Sequence, residues 1–374
     1  MKKYIYILFI SIFINLANTS ELYAQGCVAI RHFSSCNAIN DGSNVAFQEG
    51  QWQIGLAYRH FKSDRHFQGT HEEVDRQVNN TEVINYANSV DLSLTYAHSP
   101  RLNFNLIIPY VHYDRSSLYE HGLVYGSYVK QERRVSSASG LGDIRLSANY
   151  WLLDFEKHSG KNISVGLGVK LPSGNYAAED LFYNVGPDGG NELRPVDQSI
   201  QPGDGGFGVT LELNAYQEVF NHTYLYGGGF YLINPRETNG TRTFRETLVR
   251  DVLDNEAIMA VPDQYMIRAG LSRSIIGIPG LSVSVGGRME GVPVRDLVGG
   301  NGGFRRPGYV ISIEPGLNYM AGKNNFTLNV PVALQRNRLQ STTDKETEVR
   351  LGIPRHGDAA FADYLISFAY TRRF

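Results

Sequence analysis

The segment from Phe361 to Phe374 alternates between two kinds of side chain with a period of two residues. Every second residue, counted back from Phe374, is mostly aromatic or apolar, and the residues between are mostly small or polar. A β-strand points successive side chains to opposite faces, so this pattern predicts a two-faced strand. Closing strands of bacterial outer-membrane barrels often end on such an aromatic residue. The alternative is a late strand of a soluble β-sandwich.

The same alternation recurs along the chain and predicts about twelve strands. Each segment is close to the length that a tilted strand needs to cross a bilayer. The segments lie near residues 50–61, 83–97, 102–110, 141–153, 163–171, 207–217, 224–233, 265–275, 281–290, 309–320, 326–335 and 361–374.

The connections between these segments alternate between long polar stretches and short turns. Bacterial barrels have long extracellular loops and short periplasmic turns, and a closed barrel pairs every backbone group within the bilayer. The sequence therefore predicts an all-β protein, a transmembrane antiparallel up-and-down β-barrel of about 12 strands with both termini in the periplasm. The long connections are near 62–82, 113–139, 173–205, 234–263, 291–308 and 336–360.

The N-terminal region has the features of an export signal. Lys2 and Lys3 precede an apolar run from Tyr4 to Leu16, and a plausible cleavage point follows Ala24. The run is too short to span a bilayer as a helix. We expect a signal peptide at 1–24, a short periplasmic segment at 25–49 that carries the cysteine pair, and the barrel at 50–374, in the outer membrane of a Gram-negative bacterium.

The composition agrees with alternating strands around a polar interior. The chain has 23 Tyr, 18 Phe and 39 Gly but only 2 Cys. Its formal net charge is −2, so no electrostatic argument points to nucleic acid.

Charged residues of both signs fall on the predicted inner face of the strands. Charges are costly against lipid and ordinary inside a barrel. Two alternatives follow. Either these residues line a narrow passage and select the solute, or salt bridges among them close the interior. The candidates for lining the lumen are Asp91, Asp143, Arg145, Lys170, Glu212, Arg268, Arg288, Glu290, Glu314 and Arg373.

The two cysteines, Cys27 and Cys36, lie close together just after the predicted cleavage point. An exported chain meets an oxidising compartment, so we expect them to form a disulfide. A metal site from Cys27, His32 and Cys36 would have unusual spacing and would lack a fourth ligand. A third possibility is that the segment up to Asn44 enters the barrel as a small plug. We expect no metal and no cofactor.

Sequence signatures of catalysis are missing. Neither G-x-S-x-G nor H-E-x-x-H occurs. An outer-membrane lipid hydrolase is a distant alternative, because His112 can face outward but no partner serine can be assigned. The acidic residues of 173–205 could bind calcium, but without a fixed ligand spacing a solvated surface loop is the expectation. We therefore expect that the protein is not an enzyme.

Two segments resemble a known family. The residues Gly140-Leu141-Gly142-Asp143-Ile144-Arg145-Leu146-Ser147-Ala148-Asn149-Tyr150 and Val165-Gly166-Leu167-Gly168-Val169-Lys170-Leu171-Pro172-Ser173-Gly174 form a predicted hairpin. It resembles the G-L-G-D strand and the following G-x-K-x-P-[ST]-G strand of the family named Putative MetA-pathway of phenol degradation, often labelled outer-membrane transporter. The resemblance implies a barrel that passes small, including aromatic, compounds, and it transfers no catalytic residues.

The sequence thus favours an outer-membrane channel for small solutes, including small aromatic or hydrophobic compounds, with a narrow lumen of mixed charge. The alternative is a closed barrel that serves as a structural or partner-binding protein. The expected partners are outer-membrane lipids and lipopolysaccharide, a small-molecule solute, and the barrel-assembly machinery acting through Phe374.

Overall fold

The chain folds into one closed antiparallel β-barrel of twelve strands. This is a computed structural model, and it describes residues 46–118, 120–121, 133–186, 189–243 and 253–374. The predicted signal peptide and the Cys27–Cys36 pair lie outside the described residues, so both stay predictions.

Ten strands are continuous and two are interrupted. The strands are β1 (Trp52–Gln68), β2 (Ile84–Ala97), β3 (Leu102–Ser117), β4 (Arg134–Leu141 and Arg145–Trp151), β5 (Lys161–Lys170), β6 (Gly208–Phe220), β7 (Thr223–Ile233), β8 (Gln264–Ser274), β9 (Leu281–Val292), β10 (Gly308–Ala321), β11 (Asn324–Asn329 and Val332–Arg338) and β12 (Ala359–Arg373).

Each strand pairs with its neighbours in the sequence, and the last strand returns to the first. The closing pair runs from Gln53 opposite Arg373 to Phe67 opposite Ala359. This closure leaves no free sheet edge between β1 and β12. A sheet that crosses a bilayer must close in this way, because lipid cannot pair with backbone N–H and C=O groups. The predicted barrel and its strand number are confirmed.

The outer face of the barrel is apolar and edged by aromatic rings. On β1, Ile54 and Leu56 are exposed, whereas their neighbours Gln53 and Gly55 are buried. Near the short turns, Trp52 lies opposite Tyr96, with ring centroids 4.7 Å apart. Aromatic girdles flanking an outward apolar band are typical of outer-membrane barrels.

A second set of tyrosines lies nearer the long loops. Tyr58 and Tyr110 are exposed on β1 and β3, and Tyr231 stacks on Tyr265 between β7 and β8 with centroids 6.2 Å apart. The outer wall therefore has aromatic rings towards both ends of its apolar band.

Connection lengths alternate as predicted. The short turns comprise residues 98–101, 152–160, 221–222, 275–280 and 322–323, and the long loops comprise 69–83, 118–133, 171–207, 234–263, 293–307 and 339–358. Both ends of the barrel domain therefore lie on the side of the short turns.

One local prediction was wrong, and one long loop contains a helix. The first half of β4, Arg134–Leu141, forms a strand within a stretch predicted to be a polar loop. The last long loop contains a helix, α2 (Thr342–Leu351), whose first turn is closed by a capping box between Ser341 and Asp344.

The long loops carry small elements of their own. They are the helix α1 (Val74–Val78), the 3-10 turns Gln198–Ile200 and Asp254–Glu256, and the short strands His71–Glu72, Glu179–Phe182, Glu192–Pro195, Thr238–Arg242 and Ile258–Ala260. Among the described residues, no helix combines the length and apolar character needed to cross a membrane.

Candidate functional site

The predicted lumen residues lie on the buried side of the barrel wall. All except Arg373 are buried, and Arg373 is half-buried. Several of them alternate with exposed apolar residues: Asp91 is followed by the exposed Leu92, and Glu212 lies between the exposed Leu211 and Leu213. Because the apolar residues face outward, the charged side chains point inward.

One group of these charges connects three neighbouring strands. Arg268 on β8 lies 3.5 Å from Glu314 on β10, and Arg288 on β9 lies 3.8 Å from the same carboxylate. Arg288 also forms a short ion pair with Glu290. Two arginines and two glutamates thus compensate one another within the barrel.

A second group lies where β4 is interrupted. The Lys170 ammonium pairs with Asp204 and is 3.7 Å from Asp143. Arg145 interacts electrostatically with Asp91 and Asp143. The structure therefore brings five charged positions from β2, β4, β5 and the following loop into one neighbourhood.

Arg373 lies apart, at the end of the barrel near the short turns. Its guanidinium donates to the Ala46 carbonyl at 2.9 Å and to Gln53 Oε1 at 3.2 Å. It also lies 4.3 Å from the centroid of the Phe47 ring. The residues just before β1 therefore pack against an inward side chain of β12.

Aromatic side chains also occupy the inner wall in this half of the barrel. Trp151, Tyr216 and Tyr226 form a buried cluster with Phe155 and Tyr224 packed against it. The Trp151 and Tyr216 rings meet edge to face with centroids 6.0 Å apart. These rings provide apolar surface beside the polar positions.

The loop between β5 and β6, residues 171–207, folds into the barrel, and we call it the inward loop. Its residues Ala178, Val196 and Ile200 are buried in one cluster with inward side chains of the wall. The wall residues of that cluster come from β1, β2, β3, β4 and β12, and are Phe61, Ala87, Val111, Tyr113, Ala138 and Leu365. The inward loop therefore covers the inner surface of the wall formed by these five strands.

One carboxylate holds both ends of the inward loop. Asp143 accepts the Gly174 N–H through Oδ1 at 3.0 Å and the Asp204 N–H through Oδ2 at 3.0 Å. The two loop ends touch, because a Cβ on Gly203 would lie 2.5 Å from the Gly174 carbonyl oxygen. Glycine is required where backbones approach this closely.

The middle of the inward loop is held by arginines. Asp197 forms a two-point ion pair with Arg306, at 2.8 and 2.6 Å, and lies 3.6 Å from Arg115. Burial alone would raise the pKa of Asp197, but the guanidinium groups of Arg115 and Arg306 outweigh it and hold the pKa well below its ordinary value.

The expectation of a solvated surface loop was therefore wrong for Asp197, which is 2 % exposed. It was also wrong for Asp204, which is held by Lys170 on the inner wall. The sequence shows acidic residues among glycines, but it does not show which distant arginines they meet.

One cluster has the residue types of a metal site. His66, Glu73 and Asp358 place one ligand atom each within 4.8 Å of one another. Arg76 already pairs with both carboxylates, at 2.7 Å to Glu73 and 3.0 Å to Asp358. The Val83 N–H donates to His66 Nε2 at 2.8 Å, so this ring nitrogen is engaged as well. The group is an ion-pair cluster that joins the first and last long loops.

The outward histidine does not form the arrangement that a hydrolase needs. His112 is exposed and lies 3.4 Å from Asp114 Oδ2. The Ser137 hydroxyl donates to the other oxygen of Asp114 at 2.6 Å. A serine nucleophile must give its proton to the histidine, and here the carboxylate lies next to both side chains.

The comparisons with known proteins agree with this architecture. The profile of the family described as Putative MetA-pathway of phenol degradation matches residues 68–190, which confirms the resemblance. No curated protein sequence matches the chain.

Solved structures share the barrel fold. An outer membrane channel from Pseudomonas putida F1 matches with a TM-score of 0.56 and 14% identity, over 92% of this chain and 100% of the other. The β domain of the Bordetella autotransporter BrkA covers 87% and 100% with a TM-score of 0.44 and 11% identity. A TodX mutant, described as a monoaromatic hydrocarbon channel, covers 95% and 100% with the same TM-score and identity. The channel with the TM-score of 0.56 shows that the fold is that of an outer-membrane β-barrel.

Residues that the sequence did not single out hold the inward loop. Arg115, Arg306 and Gln201 are the main ones, and Gln201 bonds the backbone of both Ala178 and Val196. The family motif was the available signal, since Asp143 and Gly174 belong to it and form the base of the loop.

Proposed function

We propose that the chain forms an outer-membrane channel for small solutes, including small aromatic or hydrophobic compounds, with an interior of mixed charge. The observation that supports this most strongly is the distribution of charge across the wall. Arg268, Arg288 and Glu314 are buried on the inner face of strands whose outer face is apolar. Charged groups retained within a bilayer-spanning element commonly serve a polar pathway.

The balance of these charges suggests little preference for highly charged solutes. Arg268 and Arg288 are offset by Glu290 and Glu314, and Lys170 is offset by Asp143 and Asp204. A passage of this kind suits compact solutes that can exchange hydrogen bonds with paired side chains.

The proposal for aromatic solutes has two supports. The family whose profile matches residues 68–190 has a description that refers to phenol degradation. The inner wall also carries the Trp151, Tyr216 and Tyr226 cluster, and the Arg268 guanidinium lies 5.8 Å from the Tyr226 ring centroid. Aromatic rings attract other rings and nearby cations through their quadrupoles.

A second candidate function is a closed barrel that acts as a structural or partner-binding protein. The observation that favours it is the inward loop, whose Val196 and Ile200 are buried against the wall. In that case the loops would be the functional surface, and solutes would not cross.

Two measurements on the purified protein distinguish these functions. Planar-bilayer recordings test for ion conductance, and swelling of loaded liposomes tests for uptake of uncharged solutes such as phenol. The channel predicts both conductance and faster swelling than protein-free liposomes. A closed barrel predicts neither.

A further inference from the structure

The contact between Asp197 and its two arginines has the geometry of a binding site occupied by a ligand. Arg306 donates from Nη1 to Oδ1 and from Nη2 to Oδ2, so its planar fork faces the whole carboxylate. The second guanidinium, of Arg115, lies 3.6 Å from Oδ2 and is held in place by a shorter ion pair with Glu120, at 2.6 Å. Such two-point recognition is how arginine selects planar carboxylates.

The three residues come from separate parts of the barrel. Arg115 belongs to β3, Arg306 to the loop between β9 and β10, and Asp197 to the inward loop. The arginines therefore remain on the wall and its rim if the inward loop moves, whereas the carboxylate leaves with the loop.

The surroundings would suit a carboxylate that is attached to an apolar body. Val196 lies next to Asp197 in the chain and is fully buried against the inner wall. On the other side, the Arg306 guanidinium lies 4.6 Å from the centroid of the Phe304 ring. A small acid with an apolar group would meet the same two environments.

We propose that Arg115 and Arg306 form an entry site for small organic carboxylates, and that Asp197 occupies this site in place of the solute while the inward loop is folded into the barrel. Binding of an incoming carboxylate would release Asp197 and with it the middle of the inward loop. This inference rests on the proposed channel function and narrows its solutes to a class that includes aromatic acids.

The test is replacement of the internal carboxylate by an added one. Asp197→Ala removes the side chain and leaves both guanidinium groups in place. Hydrogen exchange of residues 189–207 then reports whether the loop is held. We expect exchange in D197A to rise by at least about tenfold, because charge-assisted hydrogen bonds are lost. Titration calorimetry then measures benzoate binding. D197A should bind benzoate at least about tenfold more tightly than the wild type, in which Asp197 competes for the same arginines, and benzyl alcohol, which is similar in size but uncharged, should not bind.

Three further variants complete the test. D197N keeps the side-chain volume and should respond to benzoate less than D197A, because the amide still fills the site. D197A/R306Q should lose the response to benzoate. E192Q is the matched control, because Glu192 is an acidic residue of the same loop that pairs with Arg194 within the loop, at 2.8 Å; it should exchange like the wild type.

The proposal is overturned if D197A binds benzoate no more tightly than the wild type, or if it binds benzyl alcohol equally well. The outcome is separable from that of the channel. Tighter benzoate binding by D197A without any conductance would keep the carboxylate site and refute the channel, whereas conductance without tighter binding would do the reverse.

Discussion

Asp143 accepts the backbone N–H of Gly174 across the interruption of β4, at 3.0 Å. The same carboxylate accepts the N–H of Asp204, so it joins the beginning and the end of the inward loop. Asp143 and Gly174 both belong to the two segments that resemble the motif of the matched family. In this chain, residues of the motif therefore build the base of a loop that enters the barrel.

Removing this carboxylate should loosen the base of the loop. In Asp143→Ala two buried N–H groups lose their acceptor and Lys170 loses one of its carboxylates. Each unsatisfied buried group costs about 1–3 kcal/mol, so the free energy of unfolding should fall by roughly 2–5 kcal/mol. Urea titration in lipid vesicles measures it. A decrease in the free energy of unfolding below about 0.5 kcal/mol, the size expected of an ordinary surface substitution, would show that these contacts of Asp143 do not stabilise the fold.

A charge on the outer wall should disturb membrane insertion. Leu92 is exposed on β2 between Leu56 and Ile108, which are its cross-strand neighbours. Leu92→Arg should cost roughly 2–4 kcal/mol of folding free energy in bilayers, as expected near the midplane of a barrel wall. Val74→Arg, on the exposed helix α1, is the control and should change it by less than about 0.5 kcal/mol. Equal effects of the two changes would argue against a lipid-facing wall.

The pairing of Asp197 with its arginines, which holds the inward loop, should persist in mild acid. The arginines lower the pKa of Asp197 below its ordinary value. A carboxylate with a lowered pKa stabilises the fold above the ordinary pKa, about 3.9 for Asp, and the effect is lost only as the pH falls through the lowered value. Exchange of residues 189–207, corrected for the intrinsic rate, should be constant from about pH 7 to pH 4. Loss of protection near pH 5 would contradict this assignment.

The inner arginines should influence ion selectivity. Arg288→Gln removes a positive charge next to Glu290 and Glu314, so the reversal potential in a salt gradient should shift towards cation preference. Arg372→Gln removes the same charge from an exposed position on β12 and should leave the potential unchanged. An unchanged potential in both variants would place Arg288 outside the ion path.

The barrel was predictable because one physical constraint repeats in every strand. Lipid on one side and polar groups on the other impose a period of two, which Trp52, Ile54, Leu56 and Tyr58 show directly. The first half of β4 escaped this reasoning. Its polar positions are Arg134 and three serines, and only Val135, Ala138 and Leu141 are apolar, so the sequence pattern resembles that of a loop.

The folding of the inward loop could not be predicted from the sequence. Val196 and Ile200 pack against Phe61 and Leu365, which are far away in the chain, and Asp197 meets Arg306, which lies 109 residues further along the sequence. Contacts of this kind depend on the path of each loop above the wall, which leaves no local periodicity to recognise. The burial of most of the ten charges could be predicted because it follows from the alternation of their strands, whereas Asp143 lies in the interruption of β4; that they line a solute path stays a prediction.

The central claim, that solutes cross this barrel, is tested most directly by conductance in planar bilayers, with wild type and D197A measured side by side. The channel predicts discrete conductance steps for the wild type and a larger mean conductance for D197A, in which the inward loop has lost its pairing with Arg306. If both proteins insert and neither conducts, and loaded liposomes fail to swell with phenol, the barrel is closed and the channel is refuted.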